Sequence, residues 1–404
     1  MIIKFNKYKK FILDLIVNTF SFAIYIAAQT LILMPVMGKL LNTSDFANYI
    51  IFISIFSIIS NSLGSELGIV RQIKEEKEQS DVYNKILRRL LYIIFIISII
   101  IVSFLHYNLV DTIFLSIAIV LANLRLYASA YFRMYKDFKK IFLQNFLYLI
   151  GIVIGLFIYK NFNYIWIPSI LAESLSLIYS IVHTDLKSLF KFKKVKIDKK
   201  ILINFKDYSI IEFLINMVTY FDKILIYPIL GSRAVNVYYS TSTMSKLFSL
   251  ITNPLQGVIL SWLKKDKEQS NKKIIKLCLK YCIPVVIFIA LLCIPTTYLA
   301  VKFLYSQYLN ESLIIIIPIS IGVGFTFVSS IIKSIVLKFV ESKQLLKSYI
   351  IYLFIFIALS FALSKNFGLL GFAFATMISR IPLVVMFLLM LKKLSTKGVG
   401  TNEN

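Results

Sequence analysis

Charge is scarce in this 404-residue chain: Asp, Glu, Lys and Arg make up 16% of it, against 58% hydrophobic residues. Mean hydropathy reaches +0.80. No water-soluble domain of this size carries that balance, so a soluble enzyme is excluded. Cysteine is nearly lacking, and the three present, Cys278, Cys282 and Cys293, lie in or beside one apolar run. They build no disulfide framework and read as packing residues. Histidine is rarer still, and His106 and His183 stand far apart, which leaves no set of zinc ligands. No GxxxxGK[ST] phosphate cradle occurs, which excludes an ATP-driven pump in one chain. Long polar connections are missing too. Stretches such as 38–45 and 305–311 are too short to hold a domain acting on a polymer, which argues against a membrane polymerase or glycosyltransferase. No nucleophile, acid and base stand at catalytic spacing. A cofactor-free non-enzyme is expected.

What the chain has in abundance is apolar run. At about 20 residues per crossing, it has room for roughly a dozen membrane helices. Charged punctuation marks twelve candidate spans: 11–37, 46–64, 90–106, 110–132, 141–159, 164–184, 208–230, 237–262, 281–303, 312–337, 348–364 and 367–391. Closely spaced neighbours must form helical hairpins. The basic stretch Met1–Lys10 runs into an apolar segment too long for a signal-peptide core, so it reads as a retained first helix. Lys and Arg number 45 against 20 Asp and Glu, for a net charge of +25. In a hydrophobic chain this excess points to the lipid bilayer and a cytoplasmic face, not to nucleic acid. Of the 45 cations, 35 fall in the termini and alternate connections, five in the opposite connections and five within spans. This sorting predicts a multi-pass protein with both termini in the cytoplasm.

The longest basic connection, 187–206, divides the spans six and six. The expected organisation is an N-terminal six-helix bundle over 1–186, a cytoplasmic linker over 187–206 and a C-terminal six-helix bundle over 207–404. The halves echo one another. Gln29-Thr-Leu-Ile-Leu-Met-Pro-Val-Met-Gly38 aligns without gaps on Asp222-Lys-Ile-Leu-Ile-Tyr-Pro-Ile-Leu-Gly231, at an offset of 193. Like sequence at like topology implies parallel repeats that can rock about a central cavity.

Charge at membrane depth is expensive and marks functional positions. Five cations fall within spans: Arg125, Lys223, Lys246, Lys333 and Arg380. A lumen holding them suits a phosphate-bearing substrate, because Arg clamps a diphosphate bidentately and Lys supplies a mobile point charge. Arg380 lies too deep to reach the interface, whereas Lys333 reads as a snorkelling residue and Lys223 adjoins Asp222. Asp14, Glu173, Glu212 and Asp222 are the candidates for H+ or Na+ coupling, with ion pairing to a neighbouring cation as the alternative. Polar residues recur at helical spacing in three stripes: Asp14, Asn18, Ser21, Tyr25 and Gln29; Glu212, Asn216, Thr219 and Lys223; and Ser242, Lys246, Ser249, Asn253 and Gln256. These stripes predict a hydrated lumen. Glu66 reads as the start of a cytoplasmic loop.

The stretch from Asp222 to Gly231, followed by Ala234-Val-Asn-Val-Tyr-Tyr239, resembles the helix 7 to 8 signature of polysaccharide flippases in the multidrug/oligosaccharidyl-lipid/polysaccharide exporter superfamily. Phe367-Gly-Leu-Leu-Gly-Phe-Ala-Phe-Ala-Thr376 is similar to the opening of that family's helix 12, and Asp45-Phe-Ala-Asn-Tyr49 to its helix 2. Asn236 departs from the pattern, which has Gly there. The resemblance implies an all-α membrane protein of two six-helix bundles working by alternating access in a bacterial cytoplasmic membrane. It further implies an undecaprenyl-diphosphate-linked oligosaccharide as cargo, for capsule, O-antigen or a similar surface glycan. A polysaccharide polymerase and chain-length proteins are the partners it suggests. A teichoic-acid precursor flippase and a drug/cation antiporter of the same fold remain the alternatives.

Overall fold

The computed structural model describes residues 2–73, 79–103, 109–190, 195–262, 268–340 and 342–396. Side chains are described within these stretches except at 2–12, 15, 73, 190, 245–246, 249–251, 253–262, 268–275, 278–279, 337–339, 342 and 393–396. The chain is helical almost throughout, with no strand among the described residues. In order come α1 (Ile2–Ala27), a π-helical turn (Ala28–Leu33), α2 (Met34–Leu40), α3 (Thr43–Ile73), α4 (Ser80–Ser103), α5 (Leu109–Met134) and α6 (Phe138–Phe162). There follow α7 (Ile167–His183), a 3-10 turn (Asp185–Phe190), α8 (Lys199–Trp262), α9 (Glu268–Leu304), α10 (Leu309–Phe339) and α11 (Ser342–Thr396).

Nine helices among the described residues are long and apolar enough to cross a membrane, and α7 is a shorter apolar helix of 17 residues. Two of the nine are hairpins. Gly231 (φ 79°) interrupts α8 and Gly368 (φ 54°) interrupts α11, in backbone conformations that only glycine adopts without strain. The chain reverses at both: the Tyr238 hydroxyl reaches back to Asp222, and the Phe356 and Phe372 rings meet edge to face. With α8 and α11 each counted as two arms, the apolar helices number the twelve expected. Pro35 cannot donate its backbone hydrogen bond, and the π turn immediately before it widens the helix by one residue per turn where that bond is lost.

The helices run past their apolar stretches at the basic end. Span 46–64 was expected to stop before Glu66, but α3 continues to Ile73 and Glu66 is buried rather than opening a loop. Arg133 of α5 stands within electrostatic reach of it, which is what lets a carboxylate stay inside the bundle. Within the expected linker, the 3-10 turn reaches Phe190 and α8 has already begun at Lys199.

Contacts divide the chain into two compact units: Met1–Met37 with Ile51–Tyr220, and Gly38–Ile50 with Phe221–Asn404. In the first, small residues bring backbones together. A side chain at Gly64 would strike the backbone of Asn123, and one at Gly68 the Cβ of Ala130. Gly151 and Gly155 of α6 lie directly against Ala172 and Pro168 of α7. Both pairs are spaced four apart, the small-residue pattern of close helix crossings in lipid. In the second unit, Thr43 and Phe46 meet the second arm of α8. The Asn236 amide donates to the Thr43 carbonyl at 2.9 Å, and the Phe46 and Tyr239 rings meet edge to face. Both pairs are separated by 193 residues, the offset of the sequence repeat. Repeat counterparts therefore face one another there, as they do where a two-fold axis passes between like elements. Asn236 also donates to the Tyr308 hydroxyl at 3.2 Å, a bond that the glycine of the family pattern cannot make.

Replacing Gly155 with Leu is expected to force α6 and α7 apart at a cost of about 1–3 kcal/mol. In detergent this should lower the thermal midpoint, whereas Phe157→Leu, on an exposed face, leaves it within error.

Candidate functional site

Both units hold charge away from solvent among the described residues. In the first unit, α5 presents Arg125 with its side chain 2% exposed, opposite Glu173 of α7 at 0%. The Arg125 Nε donates to one carboxylate oxygen at 2.6 Å and its Nη2 to the other at 3.3 Å, a two-pronged pairing. The guanidinium is sandwiched between the rings of Tyr25 and Tyr148, 4.6 Å and 5.0 Å from their centroids. Gln29, on the π turn, donates to the Tyr148 hydroxyl at 2.9 Å. One turn below, Gln144 accepts from Ser129 and donates to Ser180 and to the Arg125 carbonyl. Asn145 holds Ser21. The stripe expected to line a lumen from α1 thus turns Ser21, Tyr25 and Gln29 onto α6, within one unit. An arginine whose charge is paired and whose two faces are covered holds structure.

In the second unit, Lys223 Nζ lies 2.7 Å from an oxygen of Asp222, both about 7% exposed. The Tyr238 hydroxyl donates to the same carboxylate at 3.0 Å across the reversal at Gly231. Arg380, on the second arm of α11, stands within electrostatic reach of Tyr238 and Tyr352. Its stem passes over Gly322 of α10, where a Cβ would lie 4.0 Å from Arg380 Cδ and Nε. The Nε is shielded from solvent and meets no acceptor among the described residues. Asp222 is already spent on Lys223 and Tyr238, so this cluster carries two cations and one anion.

Lys333, Glu212 and Asp14 are half-buried and form no ion pair among the described residues. The side chains of Lys246, Ser249, Asn253 and Gln256 lie outside the described residues, as does that of Cys278. A third charge centre at the basic end is one that sequence reasoning missed. Arg71, counted there as a loop cation, is 1% exposed and bonds Asp185 at 2.7 Å, the Tyr127 hydroxyl at 2.9 Å and Ser80 at 2.8 Å. It ties the ends of α3, α4 and α5 to the 3-10 turn. No local pattern announces it, because its carboxylate lies 114 positions further along the chain.

Comparison with protein-family models finds no match, and comparison with curated proteins finds none either. Solved structures do match: the chain is an all-α integral membrane protein with the twelve-helix fold of transporters of the multidrug/oligosaccharidyl-lipid/polysaccharide superfamily. A lipid II flippase, MurJ, in an inward closed conformation superposes with a TM-score of 0.71 at 17% identity, over 94% of this chain and 87% of that one. An outward-facing multidrug resistance MATE family transporter gives 0.68 at 15% identity, over 96% and 97%. The Vibrio cholerae MATE transporter VcmN in its bent form gives 0.63 at 12%, over 95% and 97%. At these identities the likeness concerns the fold.

Breaking the buried pair by Arg125→Met or Glu173→Leu alone should cost about 3–5 kcal/mol, because the surviving charge is left unmatched. The double variant is expected to regain most of that stability. Thermal unfolding of the three purified variants checks it; equal losses in all three would mean that the pairing is not what holds α5 to α7.

Proposed function

We propose that the chain is a flippase carrying undecaprenyl-diphosphate-linked oligosaccharide repeat units from the inner to the outer leaflet of a bacterial cytoplasmic membrane, for synthesis of a capsule, O-antigen or similar surface polysaccharide. The observation that carries this reading is Arg380, a half-buried arginine whose shielded Nε meets no acceptor among the described residues, whereas Arg125 and Lys223 each have a carboxylate. A half-buried cation without an anion is less comfortable at rest than a paired one, and an anionic ligand relieves it. Its planar fork suits a diphosphate, and beside it the Asp222–Lys223 pair can change partners. Protonation of Asp222, or Na+ on its carboxylate, would release Lys223 to the same diphosphate. Loss of that ion would restore the pair, so that occupancy of Asp222 and binding of the diphosphate are coupled. The fold shared with a lipid II flippase supports the class of cargo. The surplus of Lys and Arg at alternate connections supports cytoplasmic termini. A polymerase and chain-length proteins would take over the product on the outer face.

A drug/cation antiporter is the second reading, favoured by the likeness to multidrug transporters and by the half-buried acids Glu212 and Asp14.

Flipping of a fluorescent undecaprenyl-diphosphate oligosaccharide in proteoliposomes under an imposed H+ or Na+ gradient tests the proposal. Losing a charge-assisted hydrogen bond costs about 1.5–3 kcal/mol, so Arg380→Gln should slow flipping roughly 10- to 100-fold, with Arg380→Lys in between. Wild-type rates in Arg380→Gln would overturn the assignment. Inactivity of the wild type with glycans, together with expulsion of cationic dyes, would favour the antiporter.

A further inference from the structure

We propose that a groove between α4 and α5, at the basic end of the first unit, binds an anionic phospholipid with its phosphate on Arg88 and one acyl chain between the helices. The site is separate from the buried charges discussed above and does not rest on the flippase reading.

A cavity of about 400 Å³ opens there. Leu91 and Phe95 of α4 form one wall, Ile117 and Leu121 of α5 the other, and Leu189 of the 3-10 turn closes it, with Arg88 at its mouth. The two helices pack against one another, so the groove is a local gap in a joined pair and not the flat flank of a lone helix. Its surroundings decide what enters. The neighbouring face of α4 presents Ile93, Ile96 and Ile100, about half exposed, which for a membrane helix is the side turned to lipid. An occupant therefore arrives from the bilayer.

The charge at the mouth selects among bilayer components. Arg88 and Arg89 are the last charged residues of α4 before the uncharged run 90–103, which puts them where headgroups meet hydrocarbon. Lys85, one turn earlier, bonds the Val195 carbonyl at 2.7 Å and adds a third cation at the same end. Asp81, in the first turn, is the one acid of α4. Basic pockets between membrane helices at this level hold anionic headgroups. From Arg88 to Phe95 the groove runs about 10 Å along α4 at 1.5 Å per residue, the span of the upper half of an acyl chain anchored by a phosphate at its end. A zwitterionic lipid would bring its own cation to an already cationic mouth.

The test uses the full chain in phosphatidylcholine nanodiscs containing a minor fraction of phosphatidylglycerol with a photoactivatable acyl chain. After irradiation, mass spectrometry should find the label concentrated on the peptides holding Arg88–Phe95 and Ile117–Leu121, and a phosphatidylcholine probe should not reproduce this. Ile117→Trp, which fills the groove, should abolish the enrichment. Arg88→Gln should weaken the preference for phosphatidylglycerol roughly fivefold, the equivalent of about 1 kcal/mol for one cation near an anionic surface. Label spread evenly over the lipid-facing helices, or equal labelling by both probes, would overturn the proposal. Displacement by a polyprenyl phosphate at equal mole fraction would reassign the groove to that lipid. The wild-type map decides alone should the tryptophan variant not fold.

Discussion

The Arg125–Glu173 pair is the interaction on which the first unit depends. An arginine at 2% exposure in an apolar bundle persists because its charge is met by a carboxylate, its faces by two tyrosines and its surroundings by further hydrogen bonds. Desolvating two ions is rarely a net gain, but once they are inside, neither can be left alone. The pair therefore commits α5 to α7, and the tyrosine rings bring in α1 and α6. Four helices converge on one guanidinium. Arg71 repeats the arrangement at the basic end, with Asp185 in place of Glu173, the rings of Tyr83 and Tyr131 near its guanidinium and the Tyr127 hydroxyl as a further acceptor.

The second unit has a pair of the same kind, with Arg380 standing near it. Asp222, the counterpart of Gln29 in the repeat, neutralises the lysine beside it and accepts from Tyr238. Arg380 gains tyrosine neighbours and forms no ion pair among the described residues. The contrast gives the flippase reading its physical content: where charge is balanced the structure is finished, and where it is not, a ligand of opposite charge has something to do. The fold supplies the setting, since it is similar to that of solved transporters.

Most of the architecture was legible in the sequence. Uninterrupted apolar runs bounded by charge located the spans, with Gly231 just after the run 208–230 and Gly368 at the start of the run 367–391. The offset of 193 proved to be more than a resemblance between segments, because Thr43 faces Asn236 and Phe46 faces Tyr239. The partners of buried charges were less legible. Arg125 finds Glu173 48 positions away, and no periodicity within one helix reports on a second. The polar stripe of α1 was read correctly as a stripe, but spacing cannot say which neighbour it faces, and from Ser21 to Gln29 it faces α6. Glu66 and Arg71 were taken for loop residues because hydropathy counts a charge as exposed, whatever stands ready to pair with it.

The most direct test of the account is an experimental structure of the chain with an undecaprenyl-diphosphate oligosaccharide bound. The account predicts the diphosphate against the Arg380 guanidinium, with Arg125 still held by Glu173. A diphosphate bound by Arg125 after release from Glu173, with Arg380 left empty, would contradict it.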